Sequence, residues 1–179
     1  MTSEQIARAA IHVRGNGPLG KKADEVLFEH HQFLRRMFER IEAMPREDPH
    51  RRDLMRTLAG ELEIHEHIED KIFYPAMEPV SEDIPTAHSE HRQLADLLAA
   101  TLKLNTASLE FDEHVKALHA ALNHHAGSEE HSMFQEAQRL GETRLRELGH
   151  QMEAMLDDQR TSRFRRTFRE LKISLLEGI

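Results

Sequence analysis

The sequence predicts an all-α protein, an up-down-up-down four-helix bundle with additional C-terminal helices. Two observations predict it. Apolar residues recur at helical spacing through four long segments separated by short Pro-, Gly- or Asn-containing connections. In addition, the second pair of segments repeats the first with a constant shift of sixty residues, polar residues included. The composition agrees: 179 residues with 31% charged, 5% aromatic, eight Gly and six Pro suit one mostly helical domain with a sizeable core.

Residues 1–20 form an N-terminal segment and linker, in which 1–14 could be a short helix detached by the breaker Gly15-Asn16-Gly17-Pro18-Leu19-Gly20. Residues 21–141 form the bundle. Its first helix spans about 22–44 on the stripe Leu27, His31, Leu34, Phe38 and Ile41, and stops at Pro45. The polar loop Pro45-Arg46-Glu47-Asp48-Pro49 is short enough to make the next helix an antiparallel neighbour. That second helix starts near His50 and should bend or end at Pro75. A third begins near Pro85, tolerated in a first turn, and runs to about Lys103 on the stripe Ala87, His91, Leu94 and Leu98. The fourth runs from about Leu109 to Leu140 and is closed by Gly141. In the extension, 142–179, a fifth helix over about 142–158 is weakened at Gly149.

The chemistry sits inside the apolar stripes. Leu58, Leu62, His65, Glu69 and Ile72 step by four, three, four and three, so an imidazole and a carboxylate share one buried face. A carboxylate there costs several kcal/mol unless it is paired or coordinates a metal. Leu118, Leu122, His125 and Glu129 repeat the pattern, and His31 maps onto His91 by the same shift. Helical rise places each His of a hairpin about 20 Å from its tip, so an antiparallel bundle brings His31, His65, Glu69, His91, His125 and Glu129 to one layer. Four neutral imidazoles and two carboxylates suit a two-metal site with open coordination positions. Two divalent ions and two Glu leave charge for an oxo or hydroxo bridge, and a redox metal so placed would bind dioxygen, peroxide or nitric oxide. Zinc, or His–Glu pairs without metal, would also suit these donors.

Composition excludes other chemistries. With no cysteine, disulfides, thiolate metal ligation and a Cys nucleophile are out. A formal net charge of −8 argues against nucleic acid as a partner. No segment approaches the roughly 20 apolar residues of a membrane span, and 1–14 lacks the apolar run of a signal peptide, so a membrane role is not expected and a cytoplasmic protein is.

The order His31, His65-x-x-x-Glu69, His91, His125-x-x-x-Glu129 resembles the hemerythrin-like HHE cation-binding family over about 22–140. The resemblance implies a bundle around two non-haem iron ions, with Glu69 and Glu129 bridging and the four His completing the set. Family members carry or store oxygen, sense oxygen or iron, repair iron–sulfur clusters, or handle peroxide and nitric oxide. Oxygen carriers pair the third helix as His-x-x-x-His, whereas Ala95 stands four after His91; cluster-repair members carry a Cys-containing N-terminal segment, absent here. The expectation is therefore a di-iron protein reacting with a small oxidant, with peroxide detoxification in view. The alternative is a non-catalytic sensor or iron-binding protein signalling through its basic C-terminal helix.

Other residues carry weaker readings. His88, one turn before His91, is a fifth ligand or a partly exposed neighbour; Tyr74, the only tyrosine, tunes the centre or packs near the Pro75 bend. His30, His67, His124 and His131 fall off the ligand face and read as surface or supporting groups, and the pair Glu147 and His150 as accidental. The tail from Arg160 carries six basic and two acidic residues, with Phe164, Phe168, Leu171 and Leu175 on one stripe that caps the bundle, joins a second copy or docks a partner.

Overall fold

The computed structural model describes residues 20–162 and Ile173. The expected helix over 1–14 and the tail stripe Phe164, Phe168, Leu171 and Leu175 lie outside the described residues. Within them the chain is helical: α1 (Ala23–Ala43), α2 (Arg51–Ile68), α3 (Ile84–Leu102), α4 (Leu109–Ser128) and α5 (Glu142–Thr161). Neighbours pack in the order α1, α2, α3, α4 and back to α1, which is the up-down-up-down bundle, and α5 lies across α1 and α2.

Local chemistry sets the boundaries. The backbone N–H of Lys22 donates to Glu25 Oε2 at 2.9 Å at the start of α1, and Ser108 Oγ accepts from the Phe111 N–H at 3.1 Å at the start of α4. In the loop between α1 and α2, the His50 N–H donates to Asp48 Oδ1 at 2.9 Å, a side-chain turn. Gly141, with φ of 83°, makes the left-handed corner that ends the fourth helical segment and aims α5 back over the bundle.

Pro75 was expected to bend or end the second helix, and it does neither alone. A five-residue π turn, Glu69–Phe73, follows α2 directly, and Pro75 sits in the first turn of the closing piece Tyr74–Met77. The matching π turn Glu129–Met133 follows α4 and leads into Phe134–Ala137, where Gln135 replaces the proline. Proline is therefore not the cause. Each turn begins at the buried glutamate, whose carbonyl accepts from the N–H five residues on, Tyr74 or Phe134.

Gly149 does not weaken α5, which runs unbroken through it. A Cβ at this position would collide with the backbone of Lys21 and Lys22, so the glycine is what lets α5 lie against the start of α1. Arg146 Nη1 donates to the Gly20 carbonyl at 2.6 Å beside it.

Among the described residues, two apolar clusters fill the interior. One holds Leu27, Ile64, Ile68, Ile72, Phe73, Ala87 and Met133 together with Leu145, Leu148, Met152 and Leu156 of α5. The other, toward the hairpin tips, holds Leu34, Phe38, Leu58, Leu62, Leu94, Leu118 and Leu122, joined by Ile173 from the tail. On each helix the stripe His or Glu falls between members of the two clusters, so the polar layer is sandwiched in apolar surface. Each fully buried Leu contributes about 1.5–3 kcal/mol, and together these offset the cost of the polar layer.

Candidate metal centre

The six expected residues do converge. His31, His65, Glu69, His91, His125 and Glu129 are all buried, at 6% exposure or less. Glu69 lies in the middle: its Oε1 is 3.2 Å from His65 Nε2 and 3.8 Å from His31 Nε2, while its Oε2 is 3.1 Å from His91 Nε2 and 3.8 Å from His125 Nε2. One carboxylate thus faces two pairs of imidazoles, one pair per oxygen. Glu129 is placed differently. Its Oε2 is 3.3 Å from His31 Nε2, and its Oε1 accepts a hydrogen bond from the Tyr74 hydroxyl at 2.8 Å.

The donors fall into two overlapping groups, His31 with His65, Glu69 and Glu129, and His91 with His125 and Glu69. Several of their inward atoms, His31 Nε2, His65 Nε2, both Glu69 oxygens and Glu129 Oε2, are buried without a hydrogen-bond partner. Such orphans are rare in native interiors, because each costs about 1–3 kcal/mol or more. Inward-facing imidazole nitrogens and carboxylate oxygens at 3–4 Å separations are a donor set that fits divalent cations.

Outside the donors, acidic groups hold the far nitrogens of the rings. Glu130 Oε1 is 2.9 Å from His31 Nδ1, and Glu90 Oε2 is 3.0 Å from His125 Nδ1. A carboxylate there keeps a proton on Nδ1, so that Nε2 is the nitrogen that gives up its proton to an inward-lying cation. Burial alone would depress His31, but the carboxylates of Glu129, Glu130 and Glu69 around its ring outweigh that and hold it up to about 10. His125 is likewise held up to about 9, burial again being outweighed, here first by Glu69. Burial drives His65 the other way, well below its ordinary value. For Glu69 burial is outweighed by the surrounding imidazoles, His65 foremost, and its carboxyl stays well below the usual range; Glu129 is raised by burial and then by the Glu69 charge. Burial, followed by the charges of Glu69 and Glu129, keeps the Tyr74 phenol protonated, so it acts as a donor.

Several of these residues were missed or half-seen. Tyr74 reaches the site because the π turn swings it inward; Phe134, its counterpart, stacks on His31 at 6.0 Å between ring centroids. His30, read as surface or supporting, is 4% exposed and stands edge-on to His65 at 5.1 Å. Its Nε2 is 3.2 Å from Glu61 Oε2, and Arg160 of α5 donates to the same oxygen at 2.6 Å. His88 is not among the six; its Nδ1 is 3.4 Å from Asp70 Oδ1. His124 and His131 are exposed, His67 is half-buried, and His150 is exposed while Glu147 pairs with Arg144 instead.

The family model for the hemerythrin HHE cation binding domain matches residues 22–137. The chain belongs to the hemerythrin HHE family. Relatives of this HHE protein include the uncharacterized proteins Rv2633c of Mycobacterium tuberculosis and Mb2666c of Mycobacterium bovis, each 30% identical over 159 residues, covering 88% of this chain and 99% of the relative. A crystal structure of a hemerythrin HHE cation binding domain-containing protein from Mycobacterium kansasii, a Rv2633c homolog, superposes with a TM-score of 0.70 at 32% identity, covering 79% of this chain and 94% of that one. The HHE family is one of metal-cation-binding helical bundles, and the His/Glu cluster of this member could hold metal. No helix among the described residues is long and apolar enough to cross a membrane.

Proposed function

We propose that this HHE protein holds two non-haem iron ions and uses them to bind or reduce a small oxidant, dioxygen, peroxide or nitric oxide, with peroxide removal the activity favoured. The observation that carries the reading is Glu69, whose two oxygens each face a separate pair of buried imidazoles. Under it, His31 and His65 would hold one ion and His91 and His125 the other, with Glu69 the carboxylate that faces both pairs and Glu129 a second carboxylate beside His31. Bound iron would supply the electron transfer and an open coordination position for the oxidant, since six side chains do not fill the shells of two ions.

The rest of the work belongs to the chain. Glu130 and Glu90 fix the rings of His31 and His125 through their Nδ1 atoms. The Tyr74 hydroxyl, held at Glu129 Oε1, leaves the other oxygen of that carboxylate facing His31. The apolar clusters above and below keep the layer dry, which strengthens every charge interaction in it.

The test is turnover. After anaerobic loading with ferrous iron, successive additions of hydrogen peroxide should each be consumed by disproportionation, two peroxides yielding two waters and one dioxygen, with many equivalents removed per chain. Consumption that stops at a stoichiometric amount would overturn peroxide removal in favour of a sensor. That second reading draws on Arg160, through which the base of the C-terminal tail reaches Glu61 and His30 beside the site. A protein that takes up no iron would refute both.

A further inference from the structure

The six donors of the site match under the sixty-residue shift, but the residues at its outer edge do not. On the His31 side, Glu130 pairs with the Arg35 guanidinium at 2.8 Å, and exposed Phe28 stands one turn before His31. On the His91 side the matching positions hold Ala95 and His88, and Asp70 takes the place of Glu130. Asp70 accordingly faces two imidazoles: its Oδ1 is 3.4 Å from His88 Nδ1 and 3.6 Å from His91 Nδ1.

These separations are informative. They exceed the roughly 2.9 Å of a good N–H···O hydrogen bond. They match the separation of about 3.4 Å expected for two donors on one ion at about 2.1 Å bond length and tetrahedral angles. One ligand atom from each of Asp70, His88 and His91 lies within 4.8 Å of the others. Asp70 and His88 are each 44% exposed at the side chain, whereas His91 is 7% exposed. The His91 ring is thus the partition between solvent and core: its Nδ1 looks out to Asp70, and its Nε2 lies 3.1 Å from Glu69 Oε2.

We propose that Asp70, His88 and His91 Nδ1 form an outer site that captures a divalent cation and hands it to the inner centre. The proposal rests on the reading of the inner residues as a metal centre. Transfer breaks the bonds of the ion to Asp70, His88 and His91 Nδ1 and makes bonds to His91 Nε2 and Glu69 Oε2, the ring proton of His91 passing from Nε2 to the vacated Nδ1, with no change of oxidation state. The route is one-sided, because Arg35 places a positive charge on the carboxylate at the equivalent position opposite. The outer site is transient by construction, since one imidazole does not serve two cations through both nitrogens while it keeps its ring proton.

The experiment is anaerobic cobalt(II) uptake by the metal-free full-length chain, followed by stopped-flow absorption of the ligand-field bands, with final occupancy from elemental analysis. Wild type, His88→Ala, Asp70→Asn and, as a control, His150→Ala are compared. His88→Ala and Asp70→Asn should reach the wild-type occupancy and spectrum but load at least about tenfold more slowly, the scale on which groups beside a metal site act, while His150→Ala loads as wild type. Loading of His88→Ala at the wild-type rate overturns the proposal. So does reduced final occupancy in His88→Ala, which would make His88 part of the inner centre. No cobalt in the wild type would instead fell the metal-centre reading itself.

Discussion

Replacing Glu61 by Gln removes the charge at the centre of the link between α1, α2 and α5 while keeping the shape of the side chain. Burial alone would raise this carboxyl, but the His30 hydrogen bond and the Arg160 charge outweigh it and hold it down to about 2, from 4.5. The sign follows from linkage: a carboxylate with a lowered folded-state pKa contributes stability above its unfolded value, and that contribution is lost as pH falls toward the folded value. The shift corresponds to roughly 3 kcal/mol. Arg160, at 15% side-chain exposure, recovers part of its hydration when its partner is lost. The expected destabilisation at pH 7 is therefore about 2–3 kcal/mol, or roughly 4–12 °C in melting temperature for a chain of this size. The assay is denaturation of the metal-free protein followed by circular dichroism, since bound metal would add its own stabilisation. The gap between wild type and variant should be full at pH 7 and 5 and narrow as pH falls from 4.5 toward 2. A gap under about 0.5 kcal/mol, the scale of ordinary surface changes, or one that persists undiminished at the acid end, would refute the reasoning.

Gly149→Ala should destabilise by at least about 1–3 kcal/mol, because its Cβ meets the Lys21 and Lys22 backbone rather than a flexible side chain; a melting temperature equal to wild type would show that α5 docks with room to spare. Metal binding near neutral pH should release at least about two protons per chain, one each from His31 and His125, whose pKa values stand at about 10 and about 9 before a cation replaces those protons, with His91 and Glu129, both also raised, adding to the release. Apparent metal affinity should accordingly rise with pH toward that range. Titration in two buffers of different ionisation enthalpy gives the proton count, and no net release would contradict the assignment of those charged imidazoles.

The repeat made the bundle and the six converging residues legible, because a constant shift carries both the helical phase and the position of each polar group within it. What escaped depends on events that periodicity does not encode. The π turns at Glu69 and Glu129 insert one residue into the helical phase, and only the run of consecutive buried residues Ile72, Phe73 and Tyr74 hints at it. Without that turn Tyr74 could not be placed against Glu129. His30 lies off the ligand stripe of α1 and is buried because α5 packs over it, a tertiary contact that delivers Arg160 from a distant part of the chain. Gly149 read as a weak point in a helix because its reason lies in a neighbouring backbone. The unequal settings of Glu69 and Glu129 follow from Tyr74 standing in one half and Phe134 in the other, a difference visible in the repeat but without meaning until the turn was seen.

The most direct test is the metal content of the purified chain after anaerobic ferrous loading, read by elemental analysis and Mössbauer spectroscopy beside the Glu69→Ala variant. A di-iron centre gives two irons per wild-type chain in a magnetically coupled pair, and loss of that pair when the carboxylate facing both imidazole pairs is removed. One uncoupled iron in the wild type, or an intact coupled pair in Glu69→Ala, would contradict it.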